Sequence, residues 1–289
     1  MSIGKGTGSN IRAGKDIDPR AWLILPAVIL VLITFTLPVG GFLLRGFSDP
    51  ALGFGNFIEL LKEPVYGKII WNTVAISASV TLLSLLISFP LSYSLVEASP
   101  AVRKVLVVII MIPLWTSILV QGYAWVVLLQ DNGVINRSLM KLGILTEPFP
   151  LIYNRTGVLI AMTQAQLPLM VLPLYGVMSR LDNNLTRAAS VLGAGPVTTF
   201  LRVYLPQTVP GILSGCSLVF ALCLGYYITP ALVGGHSDTM ISQLIVVEIE
   251  ELGEWGMASA LSLVLLFGMI LIFCAMNLIN RRALRGAKK

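Results

Sequence analysis

The sequence predicts an all-α, polytopic membrane protein with six transmembrane helices and both termini on the cytoplasmic side. Three observations carry that prediction. Hydrophobic residues make up 56% of the 289 residues and charged residues only 12%, with a mean hydropathy of +0.85. Soluble domains carry about 25% charged residues, so a surface this poor in charge faces lipid. Six apolar runs reach the roughly 20 residues that a bilayer crossing needs. Basic residues collect on alternate connections between those runs, as the positive-inside rule requires.

The runs are Ala21–Leu44, Ile69–Val96, Val105–Leu129, Val158–Val177, Gln207–Val233 and Met257–Ile279. Lys5, Arg12, Lys15 and Arg20 precede the first. Its apolar stretch is longer than that of a signal peptide and no small-residue cleavage site closes it, so it reads as a retained helix. The chain then divides into a cytoplasmic tail (1–20), a six-helix membrane domain (21–280) and a basic cytoplasmic tail (281–289). With the N-terminus inside, fourteen of the twenty Lys and Arg fall on the cytoplasmic side and ten of the fourteen Asp and Glu fall outside. The net charge of +6 is thereby accounted for by topology. No basic stripe is interleaved with stacking aromatics, which removes the case for nucleic acid.

Outside, Phe54, Phe57, Leu60 and Leu61 recur at helical spacing within 54–68, as in a helix lying along the membrane face. A second short surface helix is predicted over Val134–Gly143, after the Asn132-Gly133 turn. Glu248, Glu250, Glu251 and Glu254 form an acidic cluster before the sixth run, either solvated or docking a basic surface of a partner. Prolines 26, 38, 90, 113, 168, 173 and 230 lie within the runs, where neighbouring groups can satisfy the carbonyls they free. Cys216, Cys223 and Cys274 lack metal or disulfide spacing, and His236 is the only histidine. No metal site is predicted.

The longest cytoplasmic connection, 179–206, has its own character. Asn183, Asn184 and Thr186 offer N-cap oxygens for a short helix through Arg187-Ala188-Ala189. Gly193-Ala194-Gly195-Pro196 ends that helix, and Pro206 opens the fifth run. Small side chains admit close approach of another surface. The element fits mechanical coupling to a cytoplasmic partner and equally an ordinary interfacial helix.

This loop resembles the EAA loop in the permease subunits of bacterial binding-protein-dependent ABC importers, whose pattern is E-A-A, three residues, G, nine residues, I-x-L-P. Ala188-Ala189, Gly193 and Val203-Tyr204-Leu205-Pro206 fall at that spacing. Val203 replaces the isoleucine conservatively, and Arg187 stands where the family has glutamate. That glutamate helps to seat the coupling helix on the ATPase, so Arg187 implies a different contact. The resemblance runs from about Trp22 to Ile279. It is nearest to the spermidine/putrescine-type permeases through Asn56-Phe57, the 112–116 segment Ile-Pro-Leu-Trp-Thr, the 172–175 segment Leu-Pro-Leu-Tyr, and 206–212.

The resemblance implies a type I importer permease fold in the bacterial inner membrane. It also implies two cytoplasmic ATPase subunits, a second related permease chain and an extracytoplasmic solute-binding protein as partners. The implied solute is a polyamine, with an amino acid, an opine or another small polar compound as the alternative. The chain has no P-loop: Gly67-Lys68 is followed by Ile69 and Gly14-Lys15 by Asp16, so neither pair carries the required Ser or Thr. No enzymatic activity or cofactor is expected in this chain, ATP and magnesium being bound by the partner ATPase. An ion-coupled secondary transporter is the competing class, but it would need ionisable residues inside the spans and these runs lack them. A channel would need a filter-like loop or a charge ring. A non-transporting scaffold is the third reading.

A solute path through apolar helices calls for uncharged polar side chains. Gln121 and Tyr123 in the third run, with Gln164 and Gln166 in the fourth, are the candidates. Trp115, Trp125, Tyr226 and Tyr227 offer aromatic faces to a cation. The alternatives are interhelical hydrogen bonding for the glutamines and the interfacial belt for the aromatics. Gly211 and Gly215 make a G-x-x-x-G helix-packing face.

Overall fold

A computed structural model describes residues 25–286, all of whose regular elements are helical. The tail 1–20, the start of the first predicted run and residues 287–289 lie outside the described residues. The chain divides into two compact units, Met1–Leu44 and Arg45–Lys289.

In the first unit, α1 (Leu25–Val31) passes through a π-turn at Leu32–Thr36 into α2 (Leu37–Ser48). Leu30, Val31, Leu32, Ile33, Phe35 and Leu37 are all exposed. Thr34 donates its hydroxyl to the Leu30 carbonyl at 2.7 Å. A helix apolar on every side, with the Thr34 hydroxyl satisfied by its own backbone, belongs in lipid.

The second unit contains α3 (Gly55–Lys62), α4 (Pro64–Glu97), α5 (Pro100–Trp115), α6 (Ile118–Leu129), α7 (Val134–Lys141), α8 (Arg155–Met178), α9 (Asn183–Val191) and α10 (Pro196–Thr199). A π-turn at Phe200–Tyr204 precedes α11 (Leu205–Leu224), then come α12 (Ile228–Val233), α13 (Ile241–Glu250) and α14 (Trp255–Gly286). Six helical stretches among the described residues are long and apolar enough to cross a membrane. The two outer helices predicted from spacing are present as α3 and α7.

Terminal chemistry explains several boundaries. Pro64 and Pro100 sit in the first turns of α4 and α5, where a missing N–H costs nothing. Between those helices, Arg103 donates from Nε to the Leu95 carbonyl and from Nη2 to the carbonyls of Val96 and Ala98, at 2.8–2.9 Å. It thereby closes the carbonyl end of α4, which otherwise lacks partners. Asn154 caps α8 by accepting from the Gly157 amide at 3.0 Å.

The core lies between α4, α8 and α11, around Ile76, Val80, Met162, Met170, Leu174 and Val219, all fully buried or nearly so. Its pattern is inverted relative to a soluble bundle. In α4 the buried face carries Thr73, Ser77, Thr81, Ser84, Ser88 and Ser92, while Leu82, Leu86 and Ile87 face outward. Small side chains let the helices pack closely without any help from water. The glycine pair acts in the same way. A Cβ on Gly211 would come within 3.2 Å of the Pro173 carbonyl and Val177, and one on Gly215 within 2.7 Å of the Met170 sulfur. Here α11 approaches α8 so closely that a side chain at either glycine would force its neighbours to shift.

Four boundaries depart from the sequence reading. The third run is not one helix: α5 stops at Trp115, and α6 starts at Ile118 after two extended residues. The fifth run also breaks, at Gly225–Tyr227 between α11 and α12. Pro206 does not open the fifth span. The helical rod begins at Pro196 and runs through the π-turn to Leu224, and Pro206 falls in the first turn of α11, the segment after that π-turn. The sixth helix extends past Ile279 to Gly286, so most of the basic tail is helical in its backbone.

Candidate functional site

The break between α5 and α6 follows Pro113. Proline removes a backbone donor and clashes with the preceding turn, and the helix ends two residues later, leaving carbonyls at the break without helical amide partners. Gln121, one turn into α6, reaches back to them. Its Nε2 donates to the Pro113 carbonyl at 2.6 Å and to the Thr116 carbonyl at 3.0 Å. The Thr116 hydroxyl donates to Ile112 at 3.0 Å. The second break is held from α13, where the Ser242 hydroxyl donates to the Tyr226 carbonyl at 2.6 Å.

Between the two breaks lies a cavity of about 510 Å³. Gln121, Gln166 and Tyr226 line it with Thr116, Gly225, Met269 and aliphatic side chains, and none of its lining residues is charged. Gln166 is only 2% exposed. The Oε1 atoms of both glutamines are buried without a hydrogen-bond partner. Gln121 and Gln166 thus bring uncharged amide side chains to the cavity wall, while both Oε1 atoms themselves are covered by neighbouring groups.

The other aromatic and amide candidates lie elsewhere. Gln164 accepts from Trp125 Nε1 at 3.2 Å, tying α8 to α6. Trp115 is 89% exposed and borders a separate apolar depression on α5 with Val107, Val108, Met111 and Ile112. Tyr123 and Tyr227 are exposed and do not line the cavity. Thr116, Gly225 and Met269 were not singled out from the sequence. The first two were within reach, because Pro113 followed by Thr116-Ser117, and Gly225 followed by Pro230, are ordinary helix-stop signals.

The cytoplasmic loop is built around α9. Its cap is Asp182, which accepts from the Asn184 amide at 2.9 Å, and not one of Asn183, Asn184 or Thr186. Asp182 is the last residue with extended backbone, and the other three already lie inside the helix. At the far end, the Gly193 amide bonds the Ser190 carbonyl and the Ala194 amide bonds the Ala189 carbonyl. With Gly193 at φ +84°, this is a Schellman C-cap. Arg187 and Ala188 are exposed and Ala189 is half-buried. Val191 and Leu192, beside the glycine, are each 87% exposed. Downstream, Val203 and Leu205 are half-buried and Pro206 is exposed. The π-turn between α10 and α11 packs on α4 through Phe89–Phe200 and Tyr93–Tyr204 ring contacts, with centroids 6.0 and 5.5 Å apart.

On the opposite side, the acidic cluster separates into two kinds of residue. Glu250, Glu251 and Glu254 are exposed, but Glu248 is 5% exposed. Burial, reinforced by the Glu254 and Glu59 carboxylates, raises its pKa above the ordinary carboxylate value.

Residues 96–285 match the family model described as the binding-protein-dependent transport system inner membrane component. The chain is 31% identical to the spermidine/putrescine transport system permease protein PotB of Haemophilus influenzae, over 91% of this chain and 93% of that one. It is 30% identical to the protein of the same name in Escherichia coli K12, over 78% of this chain and 84% of that one. Among solved structures, a chain of a bacterial alginate ABC transporter, crystallised with an alginate pentasaccharide-bound periplasmic protein, aligns with a TM-score of 0.74 at 22% identity. That alignment covers 91% of this chain and 95% of that chain, and shows the shared fold.

Proposed function

The chain belongs to the inner membrane components of binding-protein-dependent transport systems, and from that premise we propose that it is the permease subunit through which an ATP-driven importer passes polyamines such as putrescine and spermidine. The observation that carries the mechanism is the cytoplasmic element. It presents Val191 and Leu192 almost fully exposed at a rigidly capped helix end, and the next helical rod begins only four residues later, at Pro196. Exposed apolar side chains in this position, away from the lipid-facing spans, fit a docking surface for another protein.

In this reading two cytoplasmic ATPase subunits bind ATP and magnesium, and a second, related permease chain completes the membrane pathway. A solute-binding protein delivers the polyamine from outside. ATPase closure displaces α9, and the continuous rod from Pro196 to Leu224 carries the displacement to the Gly225–Tyr227 break at the cavity. Arg187 faces the ATPase and calls for an acidic or carbonyl-rich contact there. The polyamine assignment is supported by the relatives above and by a cavity with no basic residue to repel a cation.

The test is reconstitution of the chain with its cognate ATPase, second permease and binding protein in liposomes. ATP-dependent uptake of labelled putrescine or spermidine is the expected result. Uptake that proceeds without ATP or without the ATPase would replace the importer with a secondary transporter.

A further inference from the structure

We propose that α13 docks the extracytoplasmic binding protein, presenting exposed glutamates to a Lys- and Arg-rich patch on it, and relays that contact to the cavity; this rests on the permease reading above.

The glutamate face is assembled by apolar packing. Leu60 of α3, Ile241 of α13, and Met257 and Leu261 of α14 share one buried cluster, against which Tyr66 packs. Glu59 and Glu63 are thereby brought to Glu248 and Glu254, and all four act electrostatically on Tyr66. Glu250 and Glu251 continue the face at the end of α13. Every one of these glutamates except Glu248 is exposed. Lys62, exposed between Glu59 and Glu63, and Arg45, held 5.0 Å over the Trp255 ring, offset only part of that charge.

Glu248 distinguishes this face from a solvated acidic loop. It is 5% exposed. Burial and the like charges of Glu254 and Glu59 act on it, with no donor or cation among the described residues to oppose them. A covered carboxylate without a partner is costly. Cations paired with the exposed Glu254 and Glu59 would lower that cost through space, without touching Glu248 itself. None of these glutamates lines the cavity. They come from separate elements of the outer surface, a spread that suits a protein surface better than one diamine.

The other end of α13 is tied to the cavity. The Ser242 hydroxyl donates to the Tyr226 carbonyl at 2.6 Å, within the Gly225–Tyr227 break. The adjacent Ile241 amide donates to the Thr73 hydroxyl of α4 at 2.9 Å. Docking at the acidic end of this short helix therefore bears on the break at its other end.

In the reconstituted transporter, the triple variant Glu250→Gln/Glu251→Gln/Glu254→Gln is expected to raise the half-saturating concentration of putrescine-loaded binding protein about ten-fold. Uptake should recover at saturating binding protein. Raised ionic strength should weaken docking in the wild type, and less so in the triple variant. Ser242→Ala should show the opposite split, with lower maximal uptake at a half-saturating concentration within about two-fold of wild type. A wild-type half-saturating concentration in the triple variant overturns the docking face. So does uptake that stays low at saturation, which would place the solute itself on the glutamates. Undiminished maximal uptake in Ser242→Ala overturns the relay. If the triple variant does not assemble, the wild type decides, since docking that is independent of salt overturns the face as well. Import that needs no binding protein overturns the permease reading and the docking face together.

Discussion

At the scale of single residues, the polar groups inside this protein are either closely satisfied or left unpaired. Arg103 spends its guanidinium on three carbonyls at one turn, whereas Gln121 satisfies two carbonyls and leaves its own Oε1 covered and unpaired. Glu248 is a third case, a carboxyl on α13, outside the six candidate spans, that folding covers beside Glu254 and Glu59. Because its folded pKa is raised, the folded state holds its proton more tightly than the unfolded chain does. The stability it contributes is therefore complete below the ordinary carboxylate pKa and is lost as pH rises through the raised value. Glu248→Gln is expected to raise the thermal midpoint of the detergent-purified protein at neutral pH. That gain should shrink towards pH 4, and an equal gain at both pH values would contradict the burial argument. None of this is visible in the sequence, where Glu248 belongs to a run of four acids that looks uniformly solvated. Burial is decided by which face of α13 meets its neighbours, and periodicity over ten residues does not settle that.

At the scale of elements, the cytoplasmic loop was legible because its signals are local. Alanines, a glycine and two prolines at set spacing specify a short helix, a left-handed stop and a restart, and the structure contains all three. The spans were harder. Pro90, Pro168, Pro173 and Pro210 lie inside helices that continue, whereas the helix containing Pro113 ends two residues later. What distinguishes Pro113 is Gln121, eight residues downstream, whose amide donates to the Pro113 and Thr116 carbonyls and so stabilises the open turn. A break of that kind depends on a tertiary partner as much as on the proline. The glycine stop can be tested on its own. A Cβ at Gly193 meets no atom within 4 Å, so a substitution there acts through the backbone, where φ is +84°. Gly193→Val should cost about 1–2 kcal/mol at this turn and lower the polyamine imported per ATP hydrolysed. Gly193→Asn, which tolerates the left-handed region, should preserve that ratio. Equal coupling in the two variants would remove the turn from the transmission path.

At the scale of the whole molecule, hydropathy located four of the six membrane-crossing segments to within about two turns at both ends, because lipid acts on every residue of a span alike, but it placed the third and fifth about three turns away, where helix breaks divide the apolar runs. The cavity was only partly legible for the opposite reason. Gln121, Gln166 and Tyr226 come from three segments far apart in sequence, and nothing local distinguishes Gln166, at the cavity, from Gln164, which bonds Trp125. Orientation rests on charge, with fourteen of twenty basic residues on the side assigned to the cytoplasm. It places the exposed Ser190 on α9 inside and the exposed Glu147, in the loop before α8, outside. In a variant lacking Cys216, Cys223 and Cys274, a single cysteine at either position reports its side through a membrane-impermeant maleimide. Ser190→Cys should react only in inside-out vesicles and Glu147→Cys only in right-side-out vesicles. The reverse pattern would turn the coupling helix away from any cytoplasmic ATPase, and an ATP-driven mechanism for this chain would fall with it.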